Sequence, residues 1–310
     1  MKSVPDAEFI RVWERERSPV GVARALGYSD VRPVYTRRNR LAKNGVVLST
    51  GLIDFAARHK ARRHIKVPSG VVLVGSDAHY WFRATCAHRA FVHFCRELQP
   101  EAVIMNGDVF DGARLSRFDR IGFMEHAPSV AEELDCCKER LGEIRDAAPN
   151  AKHHWTLGNH DIRFEGYLAK HATEMEGVTG AHLKDHFPDW VPSWSVHINR
   201  KVAVKHRWKG GIHAPHNNTK ESGMSMVTGH LHSARVCPWT DYGDTRYGVD
   251  SGMLADVGDS NSVHYTEDAP VNWRSAFAVL TFHEGKLLMP ELAMKYDEAH
   301  VQFRGQLIEV

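Results

Sequence analysis

Five short apolar runs in this chain each lead directly into residues able to bind a metal ion, and that succession constrains the fold more than any other feature. Val71–Val74 leads into GSDAHY, which carries Asp77 and His79. Ala102–Met105 leads into NGDVFDG, with Asp108 and Asp111. Lys152–Thr156 leads into LGNHD, with Asn159, His160 and Asp161. Val202–Lys205 runs into His206, and Ser225–Val227 leads into VTGHLH, with His230 and His232. Runs this short read as buried strands. Helical stretches over Ala84–Leu98 and Ser129–Ala147 separate the first three, which predicts an α/β fold. In such sheets ligands bind beyond the carboxyl ends of the strands. Gly75, Gly107, Gly158 and Gly229 flank the polar groups and permit close backbone approach. Each fragment alone is commonplace; their joint occurrence in order predicts a metal centre. The last third reads as β, with strands over Tyr247–Val249, Ala276–Phe282 and Lys286–Met289 around a turn at Glu284-Gly285.

Charge divides the chain differently. Residues 1–66 hold 15 Lys and Arg against 6 Asp and Glu, a net of +9, whereas the remainder carries −7. The basic part suits a polyanion. It reads as three short helices: Asp6–Arg17; Pro19–Leu26, capped by Ser18 and ended by Gly27; and a basic third helix, capped by Ser29 or Asp30, running to about Lys43. The segment SPVGVARALGYSDVRPVYTRRNRLAKNG resembles the small helix-turn-helix domains of phage and bacterial regulators, which implies DNA binding. A three-helix docking or oligomerisation module is the competing reading. The expected division is a basic domain over 1–50, a linker over 51–69 with a helix at Leu52–His64, and a catalytic domain over 70–310.

No apolar run approaches the roughly 18 residues of a membrane span, and the N-terminal MKSVPDAEF lacks a signal-peptide core. A cytoplasmic location is expected. Five cysteines of irregular spacing form no CxxC pair and are expected as buried, reduced thiols.

The order D-x-H, G-D-x-x-D, G-N-H-D, H, G-H-x-H is similar to the signature of the calcineurin-like metallophosphoesterase superfamily, over about residues 70–290. YGVDSGMLAD and NWRSAFAVLTF resemble its phage-borne members. The resemblance implies two packed mixed β-sheets flanked by helices, here preceded by the small all-α unit. It implies two metal ions, one held by Asp77, His79, Asp108 and His232, the other by Asp108, Asn159, His206 and His230. Asp108 would bridge them. His160 would face the substrate, its ring held by Asp111. The arginine that follows GDxxD in protein phosphatases is replaced by Gly112-Ala113, and Arg114, Arg117 or Arg163 are candidates to substitute. His213 and His216 compete with His206, which is preferred because it ends an apolar strand.

Two cations about 3.5–4 Å apart neutralise phosphate oxygens and acidify a shared water. Hydroxide would then attack phosphorus, and His160 would protonate the leaving oxygen. The oxygen and nitrogen ligand set suits Mn, Fe, Zn or Ni better than Ca; the family pattern favours Mn. The expected activity is phosphoester hydrolysis, of phosphodiesters and DNA before monoesters. The alternatives are a protein or nucleotide phosphatase with a docking module, or a DNA-binding regulator on a retired scaffold. The motifs choose neither the substrate nor the oligomeric state. Lys205, Arg207, Trp208 and Lys209 face two readings, a phosphate-backbone contact or a solvated loop. His153 and His154 are expected to split between core and surface, and His88 and His93 to be structural. The stretch from Gly177 to Ser195, with His182, His186, Trp190 and Trp194, would either cap the site or pack on it. Changing Arg37, Arg38 and Arg40 together to Ala is expected to lower DNA affinity.

Overall fold

The computed structural model describes residues 4–16, 18–46, 48, 62–117, 128–257, 266 and 269–310. The chain divides into two compact units, 1–60 and 61–310.

The first unit holds three helices, α1 (Asp6–Glu16), α2 (Pro19–Ala25) and α3 (Arg32–Lys43). Ser18 Oγ accepts the Gly21 N–H at 3.3 Å, and Pro19 starts α2, where a missing N–H costs nothing. Asp30 Oδ1 accepts the Arg32 N–H at 3.0 Å. Phe9, Val12, Trp13, Val22, Ala23, Val34 and Leu41 form the core. The arginines of α3 are partly structural. Arg37 and Arg40 both pair with Asp6, at 2.6 and 2.5 Å. The Arg37 guanidinium also lies 5.1 Å from the Phe9 ring centroid, and that of Arg38 5.8 Å from the Trp13 ring centroid. Removing all three arginines would therefore loosen the unit itself, so lost DNA affinity in that variant would have two causes.

The second unit contains two mixed sheets. The larger has the order β15-β14-β13-β11-β2-β3-β4-β5, with β12 paired to β11. Its strands are β2 (Gly70–Gly75), β3 (Ala102–Met105), β4 (Lys152–Thr156), β5 (Val191–Ser193), β11 (Ala276–His283), β12 (Lys286–Leu287), β13 (Glu291–Lys295), β14 (His300–Phe303) and β15 (Gln306–Glu309). The smaller has the order β1-β6-β7-β8-β10-β9: β1 (Arg62–Ile65), β6 (Ser195–Ile198), β7 (Val202–Val204), β8 (Ser225–Thr228), β9 (Arg235–Thr240) and β10 (Thr245–Asp250). Helices α4 (Cys86–Leu98), α5 (Val130–Ala147), α6 (Ile162–His171) and α7 (Ala214–Ser222) complete it.

The two-residue period of a strand explains the layering. Val72, Val74 and Ile104 point between the sheets, where they meet Val204, Val227 and Val249. Leu73, Val103 and Met105 point the other way and meet Phe91 and Phe94 of α4 and Leu141 and Ile144 of α5. Strands buried on both faces read as continuous apolar runs, which is why they were visible in the sequence.

Three expectations change. The stretch 51–69, expected as a connector, contains strand β1, which pairs in parallel with β6 and packs Ile65 on the inter-sheet core. Of the helix expected at Leu52–His64, residues 52–61 lie outside the described residues and 62–64 are extended. His153 and His154 are both buried, because the His153 ring packs against Trp190 at 4.9 Å. His154 pairs with Ile104, which belongs to the inter-sheet core. Of the two readings of 177–195, packing holds: Leu183, Phe187 and Trp190 are buried in the helix-side core, and β5 extends the larger sheet at β4. The cysteines are free, four of them buried. None of the described helices is long and apolar enough to cross a membrane.

Helix α7 packs over β8, β9 and β10 and crosses β10 at Gly248, where a Cβ would lie 2.0 Å from the Pro215 carbonyl oxygen. Gly248→Ala is expected to destabilise the chain by about 1–3 kcal/mol through overpacking. Gly142→Ala, in α5 with no atom within 4 Å of the added Cβ, is expected to stabilise it by about 0.8–1 kcal/mol. Urea unfolding of the two variants checks the pair; equal midpoints would contradict the packing described.

Candidate metal centre

The loops after β2, β3, β4, β7 and β8 bring the expected side chains together. Three groups have ligand atoms within 4.8 Å of one another: Asp77, His79 and His232; Asp108, His206 and His230; and His79, Asp111 and His160. The first two adjoin. Asp77 Oδ1 lies 3.0 Å from His232 Nε2 and 3.9 Å from His206 Nε2, and His206 Nε2 lies 3.1 Å from Asp108 Oδ2. Neither His213 nor His216 enters such a group among the described residues; the His216 ring packs on Trp239 instead. Asn159 sits between two residues in contact with Asp108. The His160 N–H donates to Asp108 Oδ1 at 2.8 Å, and a Cβ on Gly158 would lie 2.0 Å from the same atom. The Asn159 carboxamide oxygen is buried without a partner.

The loops that present these groups are strained. Asp77, His79, Asp108, His230 and His232 all have positive φ, between 41° and 70°. Such a conformation costs about 1–2 kcal/mol per residue and persists only where its surroundings enforce it. Here the loops are laced together. The Asp77 N–H donates to the Gly107 carbonyl, that of His79 to the Asp108 carbonyl, and that of His230 to Asp77 Oδ2. Gly229 is required by proximity, since a Cβ there would lie 1.8 Å from Ser76 Oγ.

Asp161, read in the motif but given no role, organises this lacing. Its carboxylate is fully buried and accepts the N–H groups of Asp108, Val109, Phe110 and Gly158 and the Trp155 indole N–H, all at 2.8–3.0 Å. Burial, and then Asp108, raise its pKa to about 6. Asp250 does the same for the last loop: it accepts the Ser233 hydroxyl at 2.8 Å, beside His232. Buried Glu133 of α5 accepts the Gly112 N–H, and burial followed by the Asp111 charge raises its pKa to about 8. A lone acidic residue in a helix or at a strand end gives no sequence signal for such a role.

The donors fit cations. His206 Nδ1 donates to the Asn106 carbonyl at 2.8 Å, which turns a buried Nε2 without a hydrogen-bond partner towards the two aspartates. Fixing one imidazole nitrogen so that the other can ligate is the usual support for a metal-binding histidine. Burial opposes charging His206, but Asp77 and Asp108 outweigh it and raise its pKa to about 9. His79 is raised to about 9 in the same way, burial being outweighed by Asp111, Asp108 and Asp77. Asp77 and Asp108 remain ionised despite burial because histidines face them. Side chains with this much negative charge at their centre supply what a divalent cation requires.

A second network lies beside the ligands. Asp111 Oδ1 accepts from His160 Nδ1 at 2.6 Å and from His79 Nδ1 at 3.0 Å. Arg163 Nη2 donates to His160 Nε2 at 3.1 Å, and Nη1 donates to the Asp111 carbonyl at 2.9 Å. Of the three candidate arginines, Arg163 thus reaches His160, while Arg114 Nε is turned to the Pro128 carbonyl. Next to His232 a recess of about 300 Å³ is lined by Ile212, Leu231, Ser233, Arg235, Val271 and Trp273. The Trp273 ring stands edge-on to His232 at 4.7 Å.

The chain is similar to several known proteins. The family described as "Calcineurin-like phosphoesterase" matches residues 70–247, more than half of the chain. The Gene 54 proteins of Mycobacterium phages L5 and D29 are each 26% identical to the chain over 240 residues, which is 71% of this chain and 92% of theirs. Among solved structures, wild-type Vps29 from Entamoeba histolytica complexed with zinc aligns with a TM-score of 0.41 at 15% identity, over 77% of this chain and 98% of that one. Vps29 from Cryptosporidium parvum aligns with a TM-score of 0.39 at 11% identity, over 79% and 97%.

Asp161→Asn replaces one of two acceptor oxygens with an NH2 group that cannot accept, so the buried N–H groups on that side lose their partner. It is expected to cost about 3 kcal/mol and to lower the metal content of the purified protein. Urea unfolding and elemental analysis check this, and full metal content in the variant would exclude the organising role.

Proposed function

Since the chain belongs to the calcineurin-like phosphoesterase family, we propose that it hydrolyses phosphodiesters, DNA among them, at a centre of two divalent ions. One ion is held by Asp77, His79, Asp108 and His232, the other by Asp108, Asn159, His206 and His230. The observation that carries this reading is the pair of adjoining ligand groups, linked by Asp77 Oδ1 at 3.0 Å from His232 and 3.9 Å from His206. Two ions bound there would neutralise phosphate oxygens and acidify a water for attack on phosphorus. The oxygen and nitrogen donors suit Mn, Fe, Zn or Ni, and Mn is our choice.

The chain's own groups do the rest. Asp111 fixes the His160 ring through Nδ1, so that Nε2 is the nitrogen available to the substrate. Protonated there, His160 supplies the proton that the leaving alkoxide needs. Arg163, within reach of His160 Nε2, takes a phosphate oxygen when substrate displaces it, in place of the arginine missing after the G-D-x-x-D motif. Half-buried Asp111 keeps its carboxyl well below the usual range, because its bonds to His160 and His79 outweigh the desolvation that opposes them. It therefore stays an acceptor for both rings at neutral pH.

The basic first unit would hold DNA through phosphate contacts that carry no sequence information, with α3 as a candidate reader of bases. With Asp6 still held by Arg37, the exposed Arg40 and Lys43 are the cleaner positions to change.

Asp108→Asn is expected to abolish cleavage of labelled single- and double-stranded DNA and of bis-p-nitrophenyl phosphate in Mn²⁺. If the wild type cleaves only the small diester, the site is active but DNA is not its substrate, and nucleotides and phosphoproteins become the alternatives. His160→Asn is expected to retain both metals and to lose about 10²–10⁴ in kcat on alkyl leaving groups. Its loss should be much smaller on p-nitrophenolate, which leaves without a proton. Equal losses on both leaving groups would rule out the general-acid role. The double change of Arg40 and Lys43 to Ala is expected to weaken DNA binding and make it less salt-dependent; unchanged affinity in a gel-shift titration would remove the first unit from DNA recognition.

A further inference from the structure

The recess beside His232 has one wall fastened to the metal centre. The Arg274 N–H donates to the His232 carbonyl at 2.7 Å, which ties the segment before β11 to a candidate ligand. Trp273, one residue earlier, sets its ring edge-on to the His232 ring at 4.7 Å and also lines the recess. Leu231 and Ser233, on either side of His232 in the chain, line it as well. Ile212, just before α7, adds an apolar side chain that is 67% exposed. Arg235 of β9 donates through Nη1 to the Ile212 carbonyl, which anchors its guanidinium among these residues. Recess and centre thus share a boundary, and the indole of Trp273 spans it.

Size and lining select an occupant. A volume of about 300 Å³ lies at the lower end of the range for small-molecule sites, which are mostly apolar with a few placed polar groups. It suits one small ring system and is too small for a helix or a folded partner. Trp273 supplies an aromatic face, and Ile212 and Val271 supply aliphatic surface. Arg235 uses one N–H on Ile212, and the rest of its fork of donors suits a ligand with acceptors along one edge. A nucleobase has both properties: a flat face for the indole, and carbonyl and ring-nitrogen acceptors for the guanidinium. Unpaired bases are recognised by this combination of stacking and edge contacts. The ring of a tyrosine side chain offers the face without those acceptors.

We propose that the recess receives the base of a nucleotide whose phosphate lies on the metal centre, with Trp273 stacked on the base, Ile212 packed against it and Arg235 bonded to its edge. The assignment rests on the phosphodiester reading of that centre and names its substrate class. The substrates are nucleotide esters whose base is free to enter, as in single strands, strand ends and short oligonucleotides. A base inside a duplex must first be unstacked and unpaired. Phosphopeptides lack the acceptor edge that Arg235 meets.

The test reads the base contact without hydrolysis and without phosphate charge. The probe is thymidylyl-thymidine joined by a methylphosphonate, which is uncharged and inert, so the basic helices of the first unit do not attract it electrostatically. It is titrated into full-length protein in EDTA, and saturation-transfer NMR follows the thymine methyl protons. The recess variant is Ile212→Ser with Trp273→Leu, and the control is Trp194→Leu, at an exposed indole outside the recess. Circular dichroism verifies each fold. Ile212→Ser alone, at an exposed position, replaces the double variant if that one is unfolded. Wild type and control are expected to show transfer to the thymine methyls, and the recess variant to bind about fivefold or more weakly, the least that one stacked base contributes. No transfer in the wild type, or equal affinity in wild type and recess variant, would overturn the proposal. N-acetyltyrosinamide that binds as tightly and is weakened as much would overturn the base as occupant. The two readings separate cleanly: a protein that binds the dinucleotide through the recess but cleaves no diester retains the recess and loses the phosphodiester reading, and the opposite pair of results removes the recess alone.

Discussion

One buried carboxylate holds together the loops from which the site is built. Asp161 lies at the start of α6 and gathers four backbone N–H groups from the loops after β3 and β4 and the indole N–H of Trp155 in β4. Without it, those donors would be buried and unpaired, at a cost of about 1–3 kcal/mol each. With it, the chain at Asp108 can be held at positive φ, its carboxylate directed towards His206. Asp108, a ligand of the proposed centre, is thus placed by a residue outside the candidate ligand groups. The same relation recurs at Asp250, which holds Ser233 next to His232.

Much of this was legible in the sequence because the relevant forces act locally. Val71–Val74 and Ala102–Met105 coincide closely with β2 and β3, since a strand buried on both faces is apolar throughout, and Lys152–Thr156 coincides with β4 although Lys152, His153 and His154 are polar. Asp77, His79 and His232 form one group and Asp108, His206 and His230 another, with ligand atoms within 4.8 Å of one another inside each. What escaped reading depends on partners distant in sequence. β1 is polar, RRHI, and is a strand only because β6 lies beside it. β5 contains a proline and sits at the end of its sheet, where a missing donor is tolerated. Helix α7 is too polar to show a clear apolar face and is held by its seat on Gly248. Arg37 looked like a DNA contact because it lies in a basic run; its partner, Asp6, is 31 residues away. Asp161 was visible as part of GNHD, but nothing in those four letters distinguishes a ligand from a support.

The electrostatics of the centre follow from the same packing. Bringing Asp77 and Asp108 into the interior near one another would be prohibitive if nothing positive joined them. His206 and His232 stand against these carboxylates. A divalent ion bound by these groups would displace the proton that the two aspartates otherwise hold on His206, so metal affinity and acidity oppose one another. The fold has therefore stored in these loops both backbone strain and unbalanced charge, and a bound cation relieves the second.

Asp111 has a consequence of its own, because a single oxygen atom serves two rings, those of His79 and His160, which the proposed centre assigns to metal and substrate respectively. Whatever draws His79 towards a cation changes how strongly that oxygen holds His160. In the proposed centre, occupancy by a cation and the hold on the His160 ring are thus linked variables. The same sharing makes positions 79, 111 and 160 interdependent in descent: a change tolerated at one depends on the residues at the other two, so lineages should exchange the three as a set.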